Sequence, residues 1–196
     1  MRVADVLESE HRVIMSVLDS LERTVGATDP KLALPTIRSI LEFLDFYLVQ
    51  IHQSKEDEIL LPFLRDSHPE QLLYASSQWL LHDHTELIIL LEESWRLLER
   101  LESGAIDRWR VLRSKLQDLV EKSRDHIRHE ELVLFPEMTE ILSHSENSIL
   151  VVDFYRLESE ICSATRYADL ITFARSLPRR TADPVPRASE ALESFR

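Results

Sequence analysis

The chain of 196 residues has two glycines, one cysteine and a formal net charge of −12 at pH 7. This length suggests one domain with room for an extra element, and so few glycines argue against sheets with tight hairpins. The negative charge makes nucleic acid and anionic membranes unfavourable partners, and no apolar run reaches the ~18 residues of a membrane span. The single Cys162 rules out an intrachain disulfide. The charged N-terminus does not resemble a signal peptide, so we expect a cytoplasmic location.

Four segments carry apolar residues at steps of three and four, which is the period of one helix face. These stripes run over residues 7–25, 37–63, 73–98 and 109–141. Turn-forming stretches end them at 26–30, 66–70, 103–105 and 143–148. Short connections favour antiparallel neighbours, so the sequence predicts an all-α, up-down four-helix bundle. The second helix either begins near Pro30 and contains Pro35, or begins at Pro35.

A fifth apolar segment with a helical face follows the bundle. The sequence therefore predicts three regions: the bundle over 1–145, an additional C-terminal helix over 146–177, and a tail over 178–196. The additional helix would cover the bundle or mediate a homodimer. The tail contains three prolines among many polar residues, so we expect it to be loosely ordered.

Ionisable side chains interrupt the apolar stripes of all four predicted helices. They are His11, His52, Glu56, His84, His126 and Glu130. A buried imidazole or carboxylate without a partner costs several kcal/mol, so six at core positions need a common partner, and metal ions are the obvious one. In the pairs His52–Glu56 and His126–Glu130, the spacing of four directs both side chains the same way from one helix.

The six residues form an internal repeat. A histidine is followed after 41 positions in the first half, and 42 in the second, by an H-x3-E pair. The surrounding sequences also correspond: HQSKEDEILLP (52–62) resembles HIRHEELVLFP (126–136). Two such halves would bring pseudo-twofold sets of side chains to one centre.

This pattern resembles the hemerythrin-like (HHE cation-binding) family over residues 5–140. Both H-x3-E pairs are followed by proline at the same offset, at Pro62 and Pro136. The resemblance implies two irons, with His11, His52, His84 and His126 as terminal ligands and Glu56 and Glu130 as bridges. The oxygen-carrying members of this family have an H-x3-H pair at the place where this chain has His84 and Ile88. The four-His, two-Glu set is therefore closer to the symmetric branch of the family.

The resemblance also implies an oxo or hydroxo bridge and an open position on each iron for dioxygen, peroxide or nitric oxide. The nitrogen and oxygen donors suit iron, manganese or zinc, and only the resemblance favours iron. One hypothesis is a redox-active or stress-response di-iron protein that binds or reacts with these small molecules. The alternatives are a non-enzymatic oxygen or iron sensor, store or carrier, and a structural bundle without metal.

Three further residues are candidates near the site. His82 is an alternative to His84 as a ligand, and His129 contacts a ligand or faces solvent. Tyr47 would donate a hydrogen bond or act in redox chemistry near the metals, although a packing role is favoured. We expect Cys162 to be an inert buried residue. The charged run 55–58 is expected to be a solvated face apart from Glu56.

Overall fold

A computed structural model describes residues 1–26, 30–69, 74–104 and 108–177. These described residues contain helices and no strand, so the predicted all-α class is confirmed. The α-helices are α1 (Val3–Val25), α2 (Pro30–Phe43), α3 (Leu61–Ser67), α4 (Tyr74–Glu102), α5 (Trp109–His129), α6 (Phe135–Ile141), α7 (His144–Ile161) and α8 (Ala164–Ser176). Three π-helical segments are π1 (Leu44–Gln53), π2 (Lys55–Leu60) and π3 (Glu130–Leu134). In the part of the chain that is described, no helix is long and apolar enough to cross a membrane.

Four helical rods form the bundle. The first rod is α1, the second runs from α2 through π1 and π2 to α3, the third is α4, and the fourth runs from α5 through π3 to α6. Contacts join α1 to α2, α2 to α4, α4 to α5, and α5 to α1. This closed ring of neighbours agrees with the predicted bundle. The second rod begins at Pro30 and has Pro35 inside the helix. The alternative, a start at Pro35, is therefore wrong.

The sequence patterns did not predict the π-helical segments, which lie at both H-x3-E pairs. Pro62 and Pro136 stand in the first turn of α3 and α6, directly after π2 and π3. Proline has no amide N–H to donate to the carbonyl four residues before it, and its ring crowds that carbonyl. The observed π-type bonds come before the prolines: the Leu61 amide donates to the Glu56 carbonyl, and the Phe135 amide donates to the Glu130 carbonyl, each with a spacing of five. Because proline cannot donate the next bond of this pattern, Pro62 and Pro136 account for where π2 and π3 end.

The apolar core consists of two clusters that lie on opposite sides of the ionisable residues. Along α1, Leu7 belongs to the smaller cluster and Ile14 to the larger, and His11 lies between them. Along α4, Leu80 and Leu87 flank His84 in the same way. The ionisable residues thus form a polar layer between two apolar layers, where water is excluded.

The sequence predicts one additional C-terminal helix, but in the structure this region forms two helices. They are separated at Cys162 and Ser163, whose backbones are extended. The Ser163 hydroxyl caps α8 by accepting from the Arg166 amide (3.3 Å). A serine that caps a new helix competes with continuation of the old one, which explains the break. The division at residues 145 and 146 remains a prediction, and the tail 178–196 lies outside the described residues.

Both C-terminal helices pack on the bundle. Leu150 and Phe154 of α7 belong to the smaller apolar cluster. Ala174 of α8 belongs to the larger cluster, with Tyr167 and Phe173 packed against it. The pair therefore covers the bundle, as one of the two expectations stated. The homodimer stays a prediction.

Candidate metal centre

The structure brings all six predicted residues together. Each is at most 2 % exposed. Their potential ligand atoms form two groups, each with all its atoms within 4.8 Å of one another. The groups are His11, His52, Glu56 and Glu130, and Glu56, His84, His126 and Glu130. The two glutamates belong to both groups, so the arrangement suits two ions that share them.

The two histidine pairs have matching geometry. The rings of His11 and His52 lie 4.8 Å apart between centroids at an interplanar angle of 66°. The rings of His84 and His126 have the same separation and angle. The repeat in the sequence thus appears as a pseudo-twofold arrangement of side chains in the core.

Each glutamate contacts one histidine of each pair. An Oε2 atom of Glu56 lies 3.6 Å from His52 Nε2 and 3.3 Å from His84 Nε2. Glu130 places one oxygen 3.1 Å from His11 Nε2 and the other 3.2 Å from His126 Nε2. Both carboxylates therefore span the two histidine pairs.

A carboxylate faces the Nδ1 atom of every histidine in the cluster. Glu131 lies 2.9 Å from His11, Glu10 lies 3.0 Å from His52, and Asp57 lies 2.8 Å from His84. Asp83 is more distant, at 3.6 Å from His126 Nδ1. In His11, His52 and His84 the bonded carboxylate assigns the proton of a neutral imidazole to Nδ1, which leaves the lone pair of Nε2 directed into the cluster.

Sequence reasoning did not single out these four carboxylates. Each adjoins a predicted ligand in the chain: Glu10 precedes His11, Asp83 precedes His84, Asp57 follows Glu56, and Glu131 follows Glu130. The signal that could have found them is the repeat itself, since both halves have an acid before the isolated histidine and after the glutamate.

The charges of the cluster compensate one another. Burial alone would lower the pKa of His84, but Asp57 and Glu56 outweigh it and raise the pKa to about 10. Burial opposes the same change at His126, where mainly Glu130 and Asp83 raise the pKa to about 9. Burial would raise the pKa of Glu130, yet His126 and His11 hold it well below its usual range. The cluster therefore attracts cations strongly, whether protons or metal ions.

Several buried atoms of the cluster lack a hydrogen-bond partner among the described residues. They are both carboxylate oxygens of Glu56 and of Glu130, the Nε2 atoms of His84 and His126, and the Nδ1 atom of His126. In the other pair, the Nε2 atoms of His11 and His52 face each other at 3.2 Å. If both Nδ1 atoms hold their protons, two lone pairs meet there. Buried polar atoms are rarely left unpaired, so metal ions fit this set of donors.

The three additional candidates lie outside the cluster. The side chain of His82 is 69 % exposed, and its Nε2 lies 3.4 Å from Glu86. His129 is half-buried and stacks on Trp79 at 3.8 Å between centroids, and Trp79 in turn stacks on His126 at 5.5 Å. The Tyr47 hydroxyl bonds the Tyr167 hydroxyl (3.2 Å), and its ring stacks on Phe43. These contacts support the packing role for Tyr47.

The expectation of a solvated face over residues 55–58, apart from Glu56, is wrong for Lys55 and Asp57, although Glu58 is exposed. Lys55 is fully buried, and its ammonium contacts Glu10 and Glu158 (2.7 Å). Asp57 accepts a hydrogen bond from Nδ1 of His84. Carboxylates on two sides compensate the charge of Lys55, which explains how a lysine can be buried there. Cys162 is buried as expected, and burial raises the pKa of its thiol.

A helical bundle with a buried cluster of histidines and glutamates belongs to the class of metal-binding bundles. The family model of the hemerythrin HHE cation binding domain matches residues 2–138. The chain therefore belongs to this family, as the sequence pattern predicted. No curated protein shows significant similarity to the chain.

Proposed function

We propose that the protein is a non-haem di-iron protein of the symmetric four-His, two-Glu type. His11 and His52 would bind one ion, and His84 and His126 the other. Glu56 and Glu130 would bridge the two. The observation that carries this proposal is that each glutamate contacts one histidine of each pair. Two separate mononuclear sites would have no reason to share both carboxylates.

The donor atoms limit the choice of metal only in part. Imidazole nitrogen and carboxylate oxygen suit iron, manganese and zinc. Iron is proposed because the chain shares the H, H-x3-E pattern of the hemerythrin-like family. When bound, an iron pair would supply one- and two-electron exchange with dioxygen, peroxide or nitric oxide.

The protein residues would restrict which molecules reach the metals. The apolar layers on either side, which include Leu7 and Leu80 in one and Ile14 and Leu87 in the other, exclude bulk water and large substrates. The carboxylates at Nδ1 hold the imidazole rings in place, so that little reorganisation is needed when a small ligand binds. A small diatomic molecule or peroxide is therefore the proposed ligand, in a redox or stress-response role.

The first experiment is a metal count on the protein reconstituted with ferrous iron without oxygen. Two ions per chain are expected, with the absorption and Mössbauer spectra of a coupled pair after oxidation. A chain that holds less than one ion would refute the proposal and favour a structural bundle.

Reactivity separates the proposed redox role from a sensor, store or carrier. The reduced, loaded protein would be mixed in a stopped-flow spectrometer with dioxygen, hydrogen peroxide or nitric oxide. Rapid oxidation, peroxide breakdown or nitric oxide reduction supports the redox role. A stable adduct that reverses on removal of the gas would contradict it and support a binding protein.

A further inference from the structure

We propose that helix α7 is part of the metal centre and makes the two metal positions unequal. Through Glu158 it would retain the ion at the His11–His52 position longer than the ion at the His84–His126 position. The inference rests on the proposed di-iron function and goes beyond it. It is carried by a row of charged side chains that runs from α7 to His52.

Lys55 stands in the middle of the row, and its side chain is fully buried. Its ammonium contacts one oxygen of Glu10 and, at 2.7 Å, an oxygen of Glu158. Glu158 lies in α7, outside residues 2–138 that match the family model. A buried ammonium needs compensating carboxylates, so α7 contributes one of the two that Lys55 has.

Glu10 continues the row to the metal position. Its second oxygen lies 3.0 Å from Nδ1 of His52. Glu10 is 3 % exposed, so the whole contact is shielded from water. Lys55 fixes Glu10, and Glu10 fixes the ring of His52. Charge-assisted hydrogen bonds in such a shielded place are stronger than exposed ones and less screened by salt.

The corresponding contact in the second half is equally buried, but it is longer, and the lysine beyond it reaches solvent. Asp83 takes the place of Glu10, but it lies 3.6 Å from His126 Nδ1 and also contacts Lys122. Lys122 is 28 % exposed, and its other partner Glu86 is 45 % exposed. No residue of α7 or α8 takes part in the described contacts of this group. His126 is therefore held less firmly than His52.

The repeat shows where the halves diverge. Position 129 corresponds to Lys55, since each lies three residues after the histidine of its H-x3-E pair. His129 at this position stacks on Trp79, and it joins no carboxylate among the residues that the structure describes. The two halves thus share their proposed ligands but differ in what holds those ligands.

Metal release tests the inference directly. The protein loaded with two ferrous ions would be mixed without oxygen with excess ferrozine, and the coloured complex followed over time. The wild-type chain should release one ion quickly and one slowly. A His84→Ala chain should keep only the slow ion, and a His11→Ala chain only the fast one. Release of both wild-type ions in one phase would overturn the inference.

Substitutions in the row show whether it acts on one metal position or whether its loss loosens the whole protein. Glu158→Gln removes the charge that faces Lys55, and it should speed the slow phase by about tenfold, the lower end for residues that support a metal ligand. Lys122→Gln should speed only the fast phase. Arg156→Gln is the matched control on α7, because Arg156 pairs with Asp153 on the exposed side, and it should change neither phase.

Two more results separate a failure of this inference from an unfolded variant and from a failure of the proposed function. Should Glu158→Gln unfold, Glu158→Asp keeps the charge but shortens the reach, and it should speed the slow phase less. Equal acceleration of both phases, or none, in a folded Glu158 variant would overturn the inference while the two-ion count still stands. A wild-type chain that never binds two ions would overturn the proposed function, and this inference with it.

Discussion

Glu131 lies 2.9 Å from Nδ1 of His11, although 120 positions separate the two residues and they belong to opposite halves of the repeat. Asp57 makes the equivalent contact with His84, at 2.8 Å. Each half therefore orients the isolated histidine of the other half. Neither half alone would orient its isolated histidine, which makes the duplicated pattern a single cooperative centre.

The contacts of Glu131 and Asp57 lead to the first prediction. Glu131→Gln and Asp57→Asn keep the size of the side chain but weaken the bond to Nδ1. Loss of such a support typically lowers metal affinity 10- to 100-fold, and we expect a loss of about that size in each variant. Competition titrations with a chelator of known affinity measure it. Glu140→Gln on the exposed side of α6 is the control, and equal affinity in all four proteins would contradict the prediction.

The shared position of the glutamates leads to the second prediction. Glu56→Ala removes a carboxylate that contacts His52 and His84, so loading should fall well below two ions per chain. Glu58→Ala, two residues along the same rod and exposed, should still load two ions. Elemental analysis of both proteins after the same reconstitution gives the counts. Full loading of the Glu56 variant would show that this residue does not bridge the ions.

Much of this arrangement could be predicted because its signals are local. The apolar steps of three and four gave the helix faces, and His52 and Glu56 stood out as ionisable residues on such a face. Both halves repeat this signal, so the six residues could be named before any contact was known. The same reasoning placed His82 as an alternative, which the exposed position of that side chain disfavours.

The other features depend on contacts between distant parts of the chain. Lys55 is charged and lies in a charged run, so only its contacts with Glu10 and Glu158, 45 and 103 positions away, explain its burial. The break between α7 and α8 depends on whether Ser163 caps a helix or continues one, and both have similar local patterns. The π-helical turns have no signal in the apolar steps of three and four, and Pro62 and Pro136 mark only where two of them end.

The metal-free protein should lose stability as the pH rises. The pKa of His84 is raised in the folded protein from 6.5 to about 10 by Asp57 and Glu56, which outweigh burial. A raised pKa stabilises the fold fully below the unfolded value, and this contribution is lost as the pH rises through the folded value. The stability that protonated His84 contributes should therefore decline between about pH 6.5 and pH 10.

Calorimetry of wild-type and His84→Gln proteins, both without metal, isolates this effect from other titrations. The difference in Tm between them should shrink as the pH is raised from about 7 to about 10. In the metal-loaded wild-type protein the ion replaces the protons, so its Tm should not show this decline. A Tm difference that stays constant over this range would contradict the prediction.

Helix α7 should contribute to the stability of the fold through Phe154. This side chain is fully buried in the smaller apolar cluster, next to the polar layer. Phe154→Ala should reduce the free energy of unfolding by about 3–5 kcal/mol, through lost burial and the cavity left behind. Tyr155→Ala is the matched control, because the neighbouring Tyr155 is exposed and its loss should cost far less. Urea denaturation gives the free energy of unfolding of both variants. The proteins are kept free of metal, because metal binding would add to the measured stability. Similar small losses in both variants would show that α7 is not firmly packed on the bundle, and Glu158 could then not hold Lys55 in place.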